Sequence, residues 1–349
     1  MKTVCITGAQ GFIGSYLCKD LLDAGYHVIG IDNYSKYGKI ARPHDNHPNF
    51  TFYEEDVVGI EKRDLLRFQN VDAIIAIAAK IGGISYFHKY AYDLLAENER
   101  IMASTFDLAI SLKKLCSLKR IVVLSSSMVY ENATNYPTEE SEIKVIPPPD
   151  STYGFQKLAC EYFCKGAFEQ YGLEYTILRP FNCVGVGEEE ALGEEAVMSG
   201  GVKLMMSHVL PDIINKIMQN QYPLRIFGDG NQIRCYTNGK DIARGIRLAM
   251  ESPKAINEDF NISIERATSV LELAKIAWKI LKPSYLFWHE EDAPFQYDVQ
   301  KRIPSIQKAK NVLEFEAKIP LEESILEVIE YVKQQQTRNL DDTSEYSRK

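Results

Sequence analysis

Two side chains near the middle of this 349-residue chain have the types and spacing needed for proton transfer. Tyr153 and Lys157 are four positions apart in a segment, 153–171, whose apolar residues recur with the period of a helix. Residues at that spacing share a helix face, so the phenol and the ammonium are within electrostatic reach of each other. Because a nearby cation favours the phenolate form of tyrosine, the pair predicts that Tyr153 acts as a general base.

Hydroxyl groups are expected at the same place. Residues 125–127 are three consecutive serines, and they directly follow an apolar, β-branched segment at 120–124. A serine triplet alone is usually a turn, and Tyr-x-x-x-Lys occurs on many helices by chance. Their order is more specific, because both follow a glycine-rich segment near the start of the chain.

That segment is G-x-x-G-x-x-G, formed by Gly8, Gly11 and Gly14 directly after a predicted strand at 3–7. Glycines at these places permit a tight turn and let backbone N–H groups approach a pyrophosphate at the N-terminus of the following helix. Asp32 ends the second predicted strand, where a carboxylate can accept a hydrogen bond from the ribose 2′-hydroxyl of an adenosine. The pattern predicts a dinucleotide site.

The type of dinucleotide depends on charge. Asp32 would repel the 2′-phosphate of NADP, which favours NAD. Lys36, Lys39 and Arg42 follow in a basic loop that could reach such a phosphate, so they weaken the argument. We predict NAD as the cofactor.

The elements that must position these residues alternate between short β-branched segments and longer amphipathic ones, which is typical of parallel sheets covered by helices. We predict an α/β fold with a Rossmann-type doubly wound parallel sheet and a smaller mixed α/β C-terminal substrate domain. The predicted strands are 3–7, 27–31, 51–54, 73–78, 120–124 and 175–178, and the predicted helices between them are 12–24, 91–115 and 153–171. Carboxyl ends of parallel strands meet at one edge, so the glycines, serines and tyrosine are expected to converge there.

The chain changes character after residue 182. We assign 1–182 to the dinucleotide domain, with 235–250 returning to it, and 183–234 with 251–334 to the substrate domain. Helices are predicted at 210–219, 241–250, 270–281 and 321–334, and a strand at 225–227. Residues 185–201 are acidic and glycine-rich, which suggests a flexible insertion. The polar segment 335–349 is expected to be a disordered tail.

Composition excludes other classes of partner. The chain has 48 acidic and 40 basic residues, a net charge of −8, which disfavours nucleic acid and anionic membrane surfaces. No apolar run approaches the length of a membrane span, and no signal sequence is seen at the N-terminus. Seven cysteines without a Cys-x-x-Cys pair indicate reduced thiols and a cytoplasmic protein, and they give no metal site.

These motifs together resemble the extended short-chain dehydrogenase/reductase family, in particular its nucleotide-sugar epimerases and dehydratases. The resemblance runs from Lys2 to about Tyr331. It rests on TGAQGFIG (7–14), SSSMVY (125–130), YGFQK (153–157), LRPFN (178–182), FGDGNQIRCYTNGKDIARGI (227–246) and RIPSIQKAK (302–310).

The family's residue roles follow from this resemblance. Ser126 would hydrogen-bond the sugar at the reacting carbon, Tyr153 would be the base, and Lys157 would hold the nicotinamide ribose. The predicted NAD site comprises Gly8, Gln10, Gly11, Phe12, Ile13, Gly14, Asp32, Asn33, Asp56, Val57, Ala78, Ala79, Lys80, Asn98, Tyr153 and Lys157. The predicted site for the nucleotide-diphosphate sugar, with UDP, GDP and TDP all open, comprises Gly82, Gly83, Ser126, Ser127, Asn182, His208, Arg234 and Arg302. The resemblance also implies a homodimer that pairs through helices 91–115 and 153–171.

Departures from the subfamily patterns narrow the chemistry. Sugar 4,6-dehydratases have Asp-Glu where this chain has Ser127 and Met128, and UDP-glucuronate decarboxylases have a glutamate in place of Met128. The 3,5-epimerases have a cysteine base at that position, although residues 78–84 resemble theirs. His208 resembles the acid of the fucose synthases, and we interpret it as either a substrate contact or a helix cap. A thioether transfers no proton, so Met128 disfavours all three reactions.

What remains is oxidation at C4 of the sugar followed by reduction from the other face. The predicted function is therefore an NAD-dependent nucleotide-sugar 4-epimerase acting through a transient 4-keto sugar. A nucleotide-sugar 4-dehydrogenase or ketoreductase, a 3,5-epimerase of the same family, and a non-catalytic dinucleotide-binding regulator remain as alternatives.

Overall fold

The computed structural model describes residues 2–81, 89–116, 118–188, 197–204, 208–294 and 299–346. Within these ranges it describes all side chains except those of residues 197, 204 and 336–346. The statements below concern this part of the chain.

A parallel sheet of seven strands forms the centre of the described structure. Its strands are β1 (Thr3–Thr7), β2 (His27–Asp32), β3 (Phe50–Glu54), β4 (Val71–Ala76), β5 (Arg120–Leu124), β6 (Glu174–Pro180) and β13 (Glu258–Ile262). Their spatial order is β3-β2-β1-β4-β5-β6-β13, and each neighbouring pair is parallel. The strand order reverses between β1 and β4, so a crevice is expected at their carboxyl ends. The Rossmann-type prediction is confirmed.

Helices cover both faces of this sheet. The helices are α1 (Phe12–Asp23), α2 (Ala91–Leu115), α3 (Thr152–Tyr171), α4 (Val209–Met218), α5 (Gly239–Glu251), α6 (Val270–Leu281), α7 (Gln307–Leu313) and α8 (Leu321–Tyr346). Short 3₁₀ turns lie at Ile60–Lys62, Leu65–Phe68, Ser127–Tyr130, Glu140–Lys144 and Pro253–Ala255. Leu17 of α1 and Ile246 of α5 belong to one apolar core, and Leu108 of α2 and Cys164 of α3 belong to the other. Each of these four helices thus buries an apolar stripe against the sheet.

A third apolar core lies in the C-terminal half. It contains Ile214 of α4, Ala274 of α6 and Ile325 of α8. The strands beside it are short and paired two by two. They are β7 (Cys183–Val184) with β12 (Thr237–Asn238), β8 (Val197–Ser199) with β9 (Val202–Leu204), β10 (Leu224–Phe227) with β15 (His289–Asp292), and β11 (Ile233–Arg234) with β14 (Thr268–Ser269).

The structure differs from the sequence prediction at the C-terminal boundary. Strand β13 extends the main sheet, and Ala309 of α7 packs in the same core as α1, although the sequence assigns 251–334 to the substrate domain. Strand β13 escapes prediction because the buried Asn261 interrupts its apolar pattern. Helix α8 also continues to Tyr346, where a disordered tail is expected from residue 335. No glycine or proline interrupts that segment.

Two predicted properties concern cysteines and membranes. All seven cysteines are free thiols; six are buried and Cys116 is partly exposed. Within the described ranges, no helix is both long enough and apolar enough to cross a bilayer.

Candidate active site

The glycine loop connects β1 to α1 and lies against the carboxyl end of β4. Gly8 has a left-handed φ of +78°, and a Cβ there would lie 2.9 Å from the backbone of Ala78. A Cβ on Gly14 would lie 2.1 Å from the carbonyl oxygen of Gly8. Only glycine fits both places, so the loop stays thin and its N–H groups lie at the sheet edge, as a dinucleotide site requires.

Asp32, the last residue of β2, is oriented by the glycine loop. One carboxylate oxygen accepts a hydrogen bond from the N–H of Gln10 at 3.0 Å, and the other accepts one from the N–H of Tyr34 at 2.8 Å. Burial raises the pKa of Asp32, and these donors together with the positive charge of Arg42 oppose that shift. A carboxylate with lone pairs left over is thus held beside the loop, where an adenosine ribose is expected.

A side-chain hydrogen bond joins the segments that follow β2 and β3. The Asn33 amide donates to Asp56 at 3.0 Å, and the other Asp56 oxygen accepts from the N–H of Val58 at 2.8 Å. Val57, the residue between Asp56 and Val58, is buried. The structure therefore brings Asn33, Asp56 and Val57, all in the predicted NAD site, to adjacent strand ends.

Strand β4 leads into a backbone segment that Asn98 of α2 fixes. The Asn98 side chain accepts from the N–H of Lys80 at 2.7 Å and donates to the carbonyl of Lys80 at 3.0 Å. The N–H groups of Ile77 and Ala78 both donate to the Thr7 hydroxyl at 3.3 Å. These contacts hold Ala78, Ala79 and Lys80 across the carboxyl edge of β1.

The proton-transfer pair lies at the start of α3. Lys157 is 4% exposed, and its ammonium donates to the carbonyl of Leu124 at 3.1 Å. Leu124 ends β5, two residues before Ser126, so the ammonium is fixed at the same sheet edge as the serines. Tyr153 is half-buried in the first turn of α3. Ser126 and Lys157 therefore lie at the same sheet edge, and Tyr153 lies one turn before Lys157 on α3.

Local capping brings the serine loop and α3 together. The Ser126 hydroxyl accepts from the N–H of Met128 at 3.2 Å and so caps the short turn that follows. The Ser151 hydroxyl accepts from the N–H of Gly154 at 3.0 Å and caps α3. A Cβ on Gly154 would lie 2.9 Å from the carbonyl of Met128, so this glycine allows the close approach.

A buried ion pair behind the serines was not predicted. Both Glu161 and Arg179 have side chains 1% exposed, and two guanidinium nitrogens donate to the two carboxylate oxygens at 2.8 Å each. The Ser125 hydroxyl donates to Glu161 at 2.7 Å. Glu161 lies one turn beyond Lys157 on α3 and Arg179 lies in the LRPFN motif, which is the signal that could have identified the pair.

Arg234 and Arg302, both in the predicted site for the nucleotide-diphosphate sugar, lie close together. Arg234 is buried in β11, and its guanidinium donates to the carbonyl of Ile233 at 2.9 Å. The N–H of Arg302 donates to that same carbonyl at 3.0 Å, so the two arginines lie on adjacent extended segments. Asn182 has a φ of +32°, and its Oδ1 is buried with no hydrogen-bond partner among the described residues. A buried acceptor without a partner fits a substrate hydroxyl.

His208 begins α4, but the capping interpretation is wrong. The residue occupies the N-cap position, and its side chain makes no capping hydrogen bond. Instead Nδ1 contacts the buried carboxylate of Glu188, and the ring lies 6.4 Å from that of Phe12, the first residue of α1. The structure therefore places His208 beside the glycine loop. Gly82 and Gly83, which are also in the predicted substrate site, lie outside the described residues.

The basic loop after Asp32 is engaged in internal contacts. Lys39 pairs with Glu54 at 2.8 Å, and Lys36 lies 4.8 Å from the centre of the Tyr37 ring. Arg42 is buried and donates to the carbonyls of Gln10 at 3.0 Å and Gly187 at 2.8 Å. Each of these three basic side chains therefore has a contact within the chain.

A family model and several known proteins match this chain in sequence. The model of the NAD dependent epimerase/dehydratase family matches residues 4–263. A putative UDP-glucose 4-epimerase of Methanocaldococcus jannaschii is 29% identical over 332 residues, which are 95% of this chain and 98% of that protein. A UDP-glucuronic acid decarboxylase of Danio rerio is 26% identical and covers 95% of this chain, with 72% of its own length matched.

Solved structures agree with these relatives. UDP-glucose 4-epimerase of Thermotoga maritima, crystallised with UDP-glucose, superposes with a TM-score of 0.79 at 28% identity, over 95% of this chain and 99% of that one. UDP-glucuronic acid 4-epimerase of Bacillus cereus, in complex with UDP-glucuronic acid and NAD, has a TM-score of 0.78 at 25% identity, with the same coverage of both chains.

Proposed function

Because this chain belongs to the NAD-dependent epimerase/dehydratase family, we propose that it is a 4-epimerase of UDP-linked sugars. The nucleotide-sugar 4-epimerases similar to it match over nearly its whole length. The family is described as NAD dependent, and the UDP-glucuronic acid 4-epimerase of Bacillus cereus was crystallised with NAD. The glycine loop and the oriented Asp32 fit that cofactor.

The observation that carries the proposal is the make-up of the loop after β5. Ser126 and the pair Tyr153 and Lys157 supply a hydroxyl, a base and a cation at the carboxyl edge. Ser127 is buried, and Met128 has no titratable group. The dehydratase, decarboxylase and 3,5-epimerase reactions need a proton-transferring side chain in this loop, whereas 4-epimerisation does not.

The chain's own residues have defined roles in this reaction. Tyr153 takes the proton of the sugar 4-hydroxyl and returns it after the transient 4-keto sugar has presented its other face. Ser126 hydrogen-bonds the same oxygen, and Lys157 stabilises the negative charge of the phenolate. When bound, NAD would supply the acceptor and then the donor for the hydride of C4. Proton and hydride are both restored, so the reaction needs no other reactant.

The test is to incubate the purified protein separately with UDP-glucose, UDP-N-acetylglucosamine and UDP-glucuronate. We expect the 4-epimer of at least one of them by NMR, with no net rise in the absorbance of reduced nicotinamide. Stoichiometric accumulation of reduced nicotinamide would instead establish the 4-dehydrogenase alternative. Absence of product from every nucleotide sugar, in protein that binds NAD, would leave the regulator alternative.

The UDP moiety is part of the proposal because the relatives described above carry UDP in their names. Arg234 and Arg302 lie together and fit a diphosphate, which UDP, GDP and TDP share. Thermal unfolding with each nucleoside diphosphate separates them. All three are compared at one concentration, where the ligand with the lowest dissociation constant shifts the transition most, by roughly 2.7 kcal/mol in free energy of unfolding at about 100 times that constant. We expect this ligand to be UDP.

We also propose a homodimer formed through α2 and α3. Their outer faces enclose an apolar groove of about 710 Å³, lined by Phe106, Ile110, Phe155, Tyr162 and Tyr171 among others. Tyr162 is 65% exposed and Phe155 48% exposed. A continuous apolar surface of this kind is unusual on a monomer. Sedimentation should show a dimer that Tyr162→Glu converts to a monomer, whereas Tyr285→Glu, at an exposed tyrosine elsewhere, should leave it unchanged.

A cytoplasmic location completes the proposal. The seven free thiols support it, because a reducing compartment keeps cysteines unpaired. Cell fractionation with an antibody to the protein tests the location directly.

A further inference from the structure

Arg42 connects the dinucleotide loop to the segment that follows β7. Its Nε donates to the carbonyl of Gln10, in the glycine loop, and its Nη1 donates to the carbonyl of Gly187. The two acceptors are 177 positions apart in the chain. One guanidinium therefore bridges the edge of the cofactor site and the start of the substrate-side segment.

Residues 185–188 are held against the first domain at two further points. The N–H of Val186 donates to the Tyr16 hydroxyl of α1 at 2.6 Å. Glu188, which is buried, pairs with His208, whose ring lies against Phe12. All three attachments end on the glycine loop or on α1, so this segment is fixed over the N-terminus of that helix.

Arg42 is held at its place by the loop that contains it. Its N–H donates to Asp45 at 2.6 Å, and the other Asp45 oxygen accepts from the Gln10 side chain at 2.9 Å. The guanidinium lies 5.7 Å from the centre of the Tyr37 ring. The side chain is thus prearranged, with only 7% of the residue exposed.

Two polar atoms of this cluster are buried with no hydrogen-bond partner among the described residues. They are Nη2 of Arg42 and Oε1 of Gln10. Buried donors and acceptors without partners are costly, so a ligand or water normally satisfies them. Gln10 also connects Arg42 to Asp32, the expected ribose ligand, because its carbonyl accepts from Arg42 Nε and its N–H donates to the Asp32 carboxylate, each at 3.0 Å. Both groups therefore lie beside the glycine loop, at the expected adenosine end of the dinucleotide site.

We propose that Arg42 is a cofactor-retention residue. Its free Nη2 binds the adenosine half of the dinucleotide, while Nε and Nη1 tie the glycine loop to Gly187 and close that end of the site. This inference rests on the proposed function, because an epimerase that regenerates its cofactor in every turnover gains from never releasing it. A dehydrogenase must exchange its cofactor, so such a closure would slow it.

The experiment measures NAD release, which requires no knowledge of the sugar. Wild-type protein and Arg42→Met are loaded with radiolabelled NAD, freed of excess by gel filtration, and chased with unlabelled NAD. We expect the dissociation rate to rise at least about tenfold in Arg42→Met, since a charge-assisted contact and the bridge are lost together. Arg42→Lys should give an intermediate rate, because one ammonium does not reproduce the three-way guanidinium geometry.

Lys39→Met is the matched control. Lys39 lies on the same loop and is exposed, and its contact is with Glu54 on β3 rather than with the glycine loop. Its NAD dissociation rate should equal that of the wild type. A rate for Arg42→Met within about twofold of the wild type would overturn the proposal, as would equal acceleration by Lys39→Met.

A second variant keeps the proposal testable if Arg42→Met does not fold. A Cβ on Gly187 would lie 2.8 Å from Nη1 of Arg42, so Gly187→Ala displaces the bridge without altering the arginine. Faster NAD release is again expected, and an unchanged rate contradicts the proposal. If NAD release accelerates in these variants although no UDP-sugar is epimerised, retention stands and the proposed function fails.

Discussion

Lys157 donates a hydrogen bond from its ammonium to the carbonyl oxygen of Leu124, across 3.1 Å. This contact joins the helix that carries Tyr153 to the strand that leads into Ser126. Because the strand is central in the sheet, the ammonium has little freedom to move relative to the serine loop. The positions of base, cation and hydroxyl are therefore set by the sheet rather than by a surface loop.

Tyr153→Phe should reduce turnover at least about 100-fold, because the substitution removes only the proton-transferring hydroxyl. The measurement is the rate of 4-epimer formation from the best UDP-sugar, together with the NAD content of the protein. NAD content should stay at the wild-type level. Tyr92→Phe, at a tyrosine 77% exposed on α2, is the control and should keep full activity. Equal turnover by the Tyr153 variant would remove the base assignment.

Gly14→Ala should abolish NAD binding, because the added methyl would overlap the carbonyl of Gly8 and force the loop apart. Gly166→Ala in α3 is the matched change, since a Cβ there meets nothing within 4 Å. The control should bind NAD as the wild type does, because Gly166 lines the apolar groove between α2 and α3 and not the glycine loop. Denaturant unfolding with and without NAD distinguishes the two, and NAD-dependent stabilisation of Gly14→Ala would contradict the assignment of this loop.

His44 should make the stability of the protein depend on pH. Burial lowers the pKa of His44 from 6.5 to about 4, and Arg42 adds to that shift while Asp45 opposes it. Between these values the unfolded chain binds the proton and the folded protein does not. The stabilisation is therefore complete above pH 6.5 and is lost as the pH falls towards 4, with an upper limit of roughly 3 kcal/mol.

The measurement for this prediction is the free energy of unfolding of wild type and His44→Gln at several pH values. The neutral glutamine does not titrate, so the variant should lose less stability than the wild type between pH 6.5 and 4. His47→Gln, in the same loop, serves as control and should follow the wild type. Parallel curves for wild type and His44→Gln would show that the imidazole does not titrate as expected.

Because Met128 cannot act as a base, we can predict which carbon-bound hydrogens of the sugar exchange with solvent. If the chemistry stops at C4, turnover in deuterated water should leave C3 and C5 of substrate and product unlabelled, because no carbanion base is present in the loop. NMR of the product shows the label directly. Deuterium at C3 or C5 at the rate of turnover would point to His208, with Glu188 as its partner, and to the 3,5-epimerase alternative.

Features that are determined within a short segment of the chain are predicted well from the sequence. Gly8, Gly14 and Asp32 act within one strand-loop-helix-strand unit, and α3 needs only its own apolar period and the Ser151 cap. The bridge from Arg42 to Gly187 joins residues 145 positions apart, and no local pattern reports such a contact. The ion pair of Glu161 and Arg179 likewise joins two separate elements, α3 and β6. It forms only when tertiary packing buries both side chains against each other.

The burial of six thiols has a consequence for chemical modification. Burial raises the pKa of Cys5, Cys160 and Cys235 to about 12 and also raises the pKa values of Cys18, Cys164 and Cys183. Thiolate is the reactive species, so we expect these six buried thiols to resist alkylating reagents while the protein is folded. A maleimide should attach only at Cys116, which is partly exposed at the C-terminal end of α2. Each additional label then reports an opening of the fold, and the protein carries its own probe of local unfolding.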